Sequence, residues 1–572
     1  MDDVSRKREE LERCPAGHAD RYLALFNLAH ALCERFKKER TVDDLNEAIT
    51  LNRDALELRP VEDEKGHRSL SLQNLAVCLY RRYEKLGTVN DLEEAIALGR
   101  EALALRPPGH PRRDASLHNL GFSLRMRFEK RAEVCDLEEA IQLLRAALEL
   151  RPPDHQWRSL TLRHLILCLS SRYESQGLVE DLEEAIALGR EALALRPPGH
   201  PRRDASLHNL GFSLRMRFKK QAEVCDLEEA IQLLRAALEL RPPDHQWRSL
   251  TLRHLILCLS SRYESQGLVE DLEELVTLRR AMLELYPRGH SDHVASLHNL
   301  ACDLRRRYAK TAAISDLEES IELHRAALEL RPSGHRDRSS TLDELTLCLS
   351  TRYDKLGMVA DLEEAIEFGR AALKLLTRWH PSRGEYLHNL ACNLRKRFVK
   401  QAAMQDLEEA IELLRPALEL RPMGHPDRSS SLCELVFCLA RRRDEYRVVE
   451  DLEAAVTLGR EILRLCPQGH PNRASFLHDL AQCLADRFRR QLTAADLDEA
   501  IVLEQEALDV LVCGDPSYGI SLRCLTDYVQ MKIKAQVVMM SSDASGVTHF
   551  DAAPHAHRHP VQPGCAGVAL SE

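Results

Sequence analysis

Apolar residues return along this chain at spacings of three and four, stop at prolines, and then start again in the same order. Between Asp136 and Arg151, the residues Leu137, Ala140, Ile141, Leu144, Ala147 and Leu148 fall on one stripe of a helix. The run opens on Asp136 with Glu139 three residues on, which reads as an N-cap and capping box, and it closes at Arg151-Pro152. A second stripe precedes it: from Ser116 to Phe128, Leu117, Leu120, Gly121, Leu124 and Phe128 share a face, with Gly121 permitting close helix contact. The counterparts Ala29, Ala76, Ala301, Ala391 and Ala481 serve the same purpose with slightly more bulk. Short connections between the stripes predict antiparallel helical hairpins.

The hairpin is a repeat. An Asp-Leu pair recurs at Asp44, Asp91, Asp136, Asp181, Asp226, Asp271, Asp316, Asp361, Asp406, Asp451 and Asp496, and after the first step the interval is 45 residues each time. Such a period over most of a chain is the mark of a solenoid, whose units bury their apolar faces against one another. The prediction is an all-α solenoid of about eleven antiparallel hairpins over residues 1–534, with a closing helix from Leu522 to Ile533. Residues 535–572 are rich in Ser, Pro, Gly and His, lack an apolar period, and are expected to be a disordered tail. Residues 91–180 and 181–270 are the same sequence except for Glu129 against Lys219 and Arg131 against Gln221. The duplication either lengthens the solenoid or presents one binding surface twice, which gives avidity towards a repetitive ligand.

Composition agrees with many amphipathic helices: aromatics are 5% and charged residues 30% of 572 residues. A formal charge of −10 argues against a general binder of nucleic acid or anionic membrane, and no run approaches the roughly 20 apolar residues of a membrane span. With a charged N-terminus and no secretory signal, the expected location is cytoplasmic. Seventeen cysteines include Cys78, Cys168, Cys258, Cys348 and Cys438 at one helical position, which reads as reduced thiols buried as small hydrophobes.

The segment Leu117-x-x-Leu120-Gly121-x-x-Leu124, followed by Ala140, Leu144, Ala147 and Pro152, resembles the tetratricopeptide repeat, with Leu for the family's first Trp and a longer period. The wording of the repeats (DLEEAI, LRPPGH, LHNLG) is similar to long tetratricopeptide arrays of fungal proteins, many of which continue into a caspase-like CHAT protease domain. No His-Gly segment followed by a reactive Cys is found, so the reading is not that of an enzyme. The resemblance implies a right-handed superhelix whose first helices line a concave groove. It also implies ligand-binding Asn at the position held by Asn27, Asn74, Asn119, Asn209, Asn299 and Asn389. A carboxamide donates and accepts, so a row of them suits an extended peptide backbone. His164, His254, Glu344, Glu434 and Asp479 interrupt the row.

Arg125, Arg215, Arg305 and Arg395 recur every 90 residues and by helical phase face the same groove, where guanidinium groups favour an acidic or phosphorylated segment. Two further series read as structural. Arg82, Arg127, Arg172, Arg217, Arg262, Arg307, Arg352 and Arg397 each precede an aromatic, with Arg reaching water or an acidic neighbour on the following helix; Arg443 takes the ring's place in the next hairpin. The loop histidines His110, His155, His200, His245, His290, His335, His380, His425 and His470 follow the helix-breaking turn and are assigned to turn chemistry. His555, His557 and His559 in the tail form at most an adventitious metal site, and neither a metal site nor a cofactor is expected.

These features predict an interaction scaffold that holds an extended or helical protein segment in its groove, without nucleic acid or membrane as partner. Two alternatives stand beside it: the sensor half of a CHAT-type protease system with the protease on another chain, and a truncated family member without a partner. The closing helix mixes Cys524, Tyr528, Val529 and Met531 with few charges, so self-association through that end is a further expectation.

Overall fold

The computed structural model describes residues 2–58, 67–446, 449–470, 472–511 and 516–545, and every regular element among them is an α-helix. Two compact units divide the chain, one ending at Asp271 and the other beginning at Leu272. The first unit holds α1 (Asp3–Glu12), α2 (Arg21–Glu39), α3 (Val42–Glu57), α4 (His67–Leu86), α5 (Val89–Ala104), α6 (Arg113–Arg131), α7 (Val134–Glu149), α8 (Arg158–Gln176), α9 (Val179–Ala194), α10 (Arg203–Gln221), α11 (Val224–Glu239) and α12 (Arg248–Gln266). The boundary falls in the first turn of α13 (Val269–Leu285). The second unit continues with α14 (His293–Thr311), α15 (Ile314–Glu329), α16 (Arg338–Leu356), α17 (Val359–Leu375), α18 (Arg383–Gln401), α19 (Met404–Glu419), α20 (Arg428–Tyr446), α21 (Val449–Leu465), α22 (Arg473–Gln491), α23 (Ala494–Val510) and α24 (Pro516–Ser545). Within the units the helices pair into antiparallel hairpins, α2 with α3 through α10 with α11 and α14 with α15 through α22 with α23, as the Asp-Leu period predicts. The extra N-terminal helix α1, which lacks the repeat's pattern, is not anticipated by it.

The predicted stripes form the core. Leu137, Ala140, Leu144 and Ala147 of α7 are fully buried against Leu120 and Leu124 of α6. Gly121 is needed there, because a Cβ would lie 3.0 Å from Leu144 Cγ and 3.2 Å from the Ala140 carbonyl oxygen. The five cysteines at the 90-residue spacing are completely buried free thiols. Where α17 carries Gly369, α16 presents the larger Thr346, so bulk alternates between the two helices of the hairpin.

The Asp of each Asp-Leu pair is not the N-cap. Helix α7 begins at Val134, with Glu133 at the cap making no side-chain bond, and Asp136 lies in the first turn. Its carboxylate is 2% exposed and accepts two bonds from Arg127, Nε at 2.7 Å and Nη2 at 2.6 Å. The same bidentate pair closes all eleven hairpins, from Arg35 with Asp44 to Arg487 with Asp496, always nine residues apart. The Arg before the aromatic therefore reaches an acid on the following helix and ties it to its own, while the negative charge also favours the helix N-terminus.

Where a second helix ends on Arg, as at Arg106, Arg151, Arg196, Arg241, Arg331 and Arg421, the side chain is a buried stitch between hairpins. Arg106 is 1% exposed and bonds Ser69 of α4 through Nε (3.1 Å) and Ser116 of α6 through Nη1 (2.7 Å). Arg151 pairs with Asp114 of the preceding first helix at 2.7 Å. The loop histidines that follow complete the turn: His110 Nδ1 accepts the N–H of Arg112 at 3.1 Å, and His155, His200, His245, His290, His335, His380, His425 and His470 repeat the bond two residues on.

First helices end alternately on Gly and a non-Gly residue in the left-handed conformation: Gly87, Gly177, Gly267 and Gly357 against Ala132, Ala222, Ala312 and Ala402. The 90-residue unit is thus written into the caps as well as the sequence. The closing helix runs from Pro516 to Ser545, longer at both ends than the Leu522 to Ile533 expectation and past the assigned start of the tail at 535. Residues 546–572, with His555, His557 and His559, lie outside the described residues, as does the Arg443 side chain.

Candidate functional site

Because successive hairpins stack in register, their first helices lie side by side. In the first unit α4, α6 and α8 enclose a cleft of about 370 Å³. Tyr80 comes from α4, Asn119 and Phe122 from α6, and His164 from α8, each brought there by the 45-residue step. The Tyr80 and Phe122 rings meet edge to face at 4.7 Å between centroids, and Phe122 lies 4.4 Å from the His164 ring. Arg81, Glu84 and Arg202 supply charge around this aromatic floor.

His164 is 7% exposed and its Nδ1 has no hydrogen-bond partner. Burial, with His118 and Arg125 nearby, holds its pKa well below the usual imidazole value, so the ring is neutral. His118 is also buried, and its pKa falls to about 3 through burial and then Arg151, while its Nδ1 sits 3.1 Å from the Thr161 hydroxyl. The cleft therefore offers π faces and a neutral imidazole, whose unpartnered Nδ1 is itself buried, rather than a titrating acid or base.

The duplicated sequence repeats this arrangement with one change of size. Phe212 lies 4.9 Å from His254, which is 9% exposed with an unpartnered Nδ1, but Ser170 stands where the first cleft has Tyr80. Burial, followed by Arg215, lowers the His254 pKa to about 3. One of the two substitutions between the copies, Glu129 against Lys219, acts here. Arg125 forms an ion pair with Glu129 one turn on, whereas Arg215 has Lys219 at that spacing; the Nε of both guanidiniums is buried without a partner. Both guanidiniums lie 5.5 Å from the Phe ring three residues before them.

The six asparagines occupy the same position on their first helices but differ in their surroundings. Asn74 Nδ2 donates to Asn52 Oδ1 at 3.2 Å, and Asn389 Nδ2 donates to Asp343 Oδ1 at 3.4 Å. Burial, then Glu385, raises the Asp343 pKa to about 7. Asn27, Asn119 and Asn299 are half-buried, and Asn209 is buried with Nδ2 unpartnered. In the second unit the Arg row is already engaged: Arg305 Nε donates to Glu344 at 2.8 Å and Arg395 pairs with Glu434, using two of the acids that interrupt the Asn series. An equivalent cleft of about 200 Å³ lies between α20 and α22, where Phe437 carries Arg395 at 5.0 Å and Arg441 at 5.3 Å. A larger hollow of about 760 Å³ sits at the turn side, lined by Arg415, Leu418, Pro422, Met423 and Thr457, none of which has an orphaned buried atom.

Among the described residues, four groups of His, Cys and carboxylate side chains come close enough to share an ion, and the one whose ligands are His and Cys alone departs most from the metal-free expectation. His298 and Cys302 of α14 and His324 of α15 bring a ligand atom each within 4.8 Å of one another. The i, i+4 pair is visible in the sequence; the third member is not, because it occupies a position that is Leu144, Leu234 and Leu414 in other hairpins. A His at a core Leu position is the signal that could have found it.

Residues 293–337 and 384–422 match the family model of the tetratricopeptide repeat. Among solved structures, yeast Tom70 is 16% identical, covering 92% of this chain and 99% of its own, with a TM-score of 0.30. A putative kinesin light chain of Podosopora anserina with nearly identical TPR-like repeats is 23% identical over 38% of this chain and 98% of its own, TM-score 0.28. YrrB, described as a TPR protein with an unusual peptide-binding site, is 17% identical over 43% of this chain and 96% of its own, TM-score 0.27. No curated protein sequence matches the chain.

Proposed function

We propose that this chain, a tetratricopeptide-repeat protein, is an interaction scaffold that takes an extended or helical segment of a partner protein across the first helices of its N-terminal unit. The cleft of Tyr80, Phe122 and His164 receives an apolar or aromatic side chain of that segment, and Asn119 beside it bonds the partner's backbone. In the equivalent place around Phe212 the narrower Ser170 side chain leaves more room, and the uncompensated Arg215 with Lys219 favours an acidic residue at the matching point. Two neighbouring subsites of unequal character suit one segment laid along both.

The observation that carries this reading is the His164 ring. Burying a polar nitrogen without a partner costs roughly 1–3 kcal/mol, and this ring lines a cleft together with Tyr80, Phe122 and the polar Gln73, Glu84 and Asn119. A ligand donor entering the cleft removes that cost.

The test is selection of a random peptide library on the full-length chain, followed by affinity measurement on Phe122→Ala, Asn119→Ala and Tyr80→Ser variants. The last gives this position the Ser found at the equivalent Ser170, so the hairpin retains a side chain known to the fold. Selected peptides should lose about tenfold or more in affinity to Phe122→Ala, the behaviour of a central anchor. Equal binding to all variants assigns the binding surface elsewhere on the chain. Recovery of a caspase-like protease as a partner from native cytosol, with the cleft variants unaffected, favours the protease-linked alternative.

A further inference from the structure

We propose that His298, Cys302 and His324 form a binding site for a borderline transition-metal ion, zinc being the first choice. The three side chains belong to one hairpin, two on α14 and one on α15. Cys302 Sγ lies 3.7 Å from His298 Nε2, and the rings of His298 and His324 meet at 65° with 5.1 Å between centroids. With zinc about 2.0 Å from an imidazole nitrogen and about 2.3 Å from a thiolate, tetrahedral ligands N and S stand about 3.5 Å apart, so the observed approach needs only small adjustment.

The strongest argument is His324. It is completely buried, and neither ring nitrogen has a hydrogen-bond partner. Nδ1 of His298 is likewise buried and unpartnered. Three other hairpins fill the His324 position with Leu144, Leu234 or Leu414, which pack without this penalty, and the polar residues found there elsewhere, Asn52, Arg279 and Glu504, each have a hydrogen-bond partner. A fully buried imidazole with no partner is destabilising by itself, and coordination to an ion held by two nearby ligands supplies the missing interaction. Cys302 is partly buried, so the site keeps one side towards the surface. Two nitrogens and one thiolate match zinc better than a hard ion, and a solvent molecule can complete four-coordination. When Cys302 Sγ bonds the ion, the thiol proton leaves to solvent, so uptake releases acid.

The chain contains its own comparison. Ninety residues on, His388 and Cys392 repeat the α14 pair, but Leu414 stands in the third place. That hairpin should hold metal far more weakly.

The experiment is titration of the reduced full-length chain with Co²⁺, followed in the near ultraviolet for the thiolate-to-cobalt charge-transfer band, with Zn²⁺ as competitor. One equivalent should develop the band, and Zn²⁺ should abolish it. Cys302→Ala should lose the band, and His324→Leu should lose it together with at least tenfold in affinity. The Leu variant restores the residue found in three other hairpins, and its circular dichroism melt verifies that it folds. Absence of the band, its survival in either variant, or cobalt binding without it, as imidazoles alone give, overturns the proposal.

Discussion

Asp181→Ala tests whether the repeated Arg-Asp pair holds each hairpin closed. Arg172 donates to Asp181 through Nε at 2.8 Å and Nη2 at 2.6 Å, and the side chains are 18% and 4% exposed. Removing the carboxylate deletes two charge-assisted bonds and leaves a guanidinium mostly out of water. Breaking a fully buried pair costs about 3–5 kcal/mol, whereas an exposed pair is worth about 0–1 kcal/mol. Since Arg172 retains partial solvent access, the expected cost is about 2 kcal/mol, placed between those limits. A solenoid unfolds in local steps, so hydrogen exchange resolved by peptide is the assay, and amides of α8 and α9 should exchange about 30-fold faster while α2 and α3 are unchanged. Glu229→Ala is the control, because its pair with Arg190 has side chains 38% and 56% exposed and should matter by less than about 0.5 kcal/mol. Equal effects for the two substitutions, or a loss below about 0.5 kcal/mol for Asp181→Ala, would refute the reasoning.

Two further outcomes follow from caps and histidines. Ala132 ends α6 at φ 55°, where Gly177 ends α8 at φ 74°, so Ala132→Gly should stabilise the α6–α7 hairpin by about 1 kcal/mol, read as slower exchange of those amides. Buried His118 and His208 titrate near 3 when folded against 6.5 when unfolded, so their contribution is complete above 6.5 and is lost as pH falls towards 3. His478 has the opposite sign: its Nδ1 is 2.6 Å from the fully buried Glu504 and its pKa is raised. Its contribution is present below 6.5 and lost as pH rises through the elevated value. Exchange corrected for its intrinsic pH dependence should therefore show α22–α23 less protected at about pH 8.5 than at about pH 6, with α6 and α10 showing no such loss; the reverse pattern rejects the assignment.

The sequence by itself determined the helices, their pairing and the count of hairpins, because these follow from interactions between neighbours in the chain: apolar residues at three and four, prolines that stop a helix, a step of 45 residues. It also showed that Asn119 and Arg125 share a helix with Leu120 and Leu124. What it could not show is which side chains meet between helices, from nine residues apart at Arg127 and Asp136 to 39 at Arg305 and Glu344, since that depends on helix rotation and on the stacking register. Asp136 reads locally as a cap, yet Arg127 claims its carboxylate from the other helix. Arg305 reads as a free groove cation, yet Glu344, 39 residues away, neutralises it. Tyr80, Phe122 and His164 are unremarkable members of three separate helices until stacking encloses them around one cleft. His324 joins His298 and Cys302 for the same reason: the hairpin's register, set by the burial of its leucines, decides which polar groups are left facing one another without water.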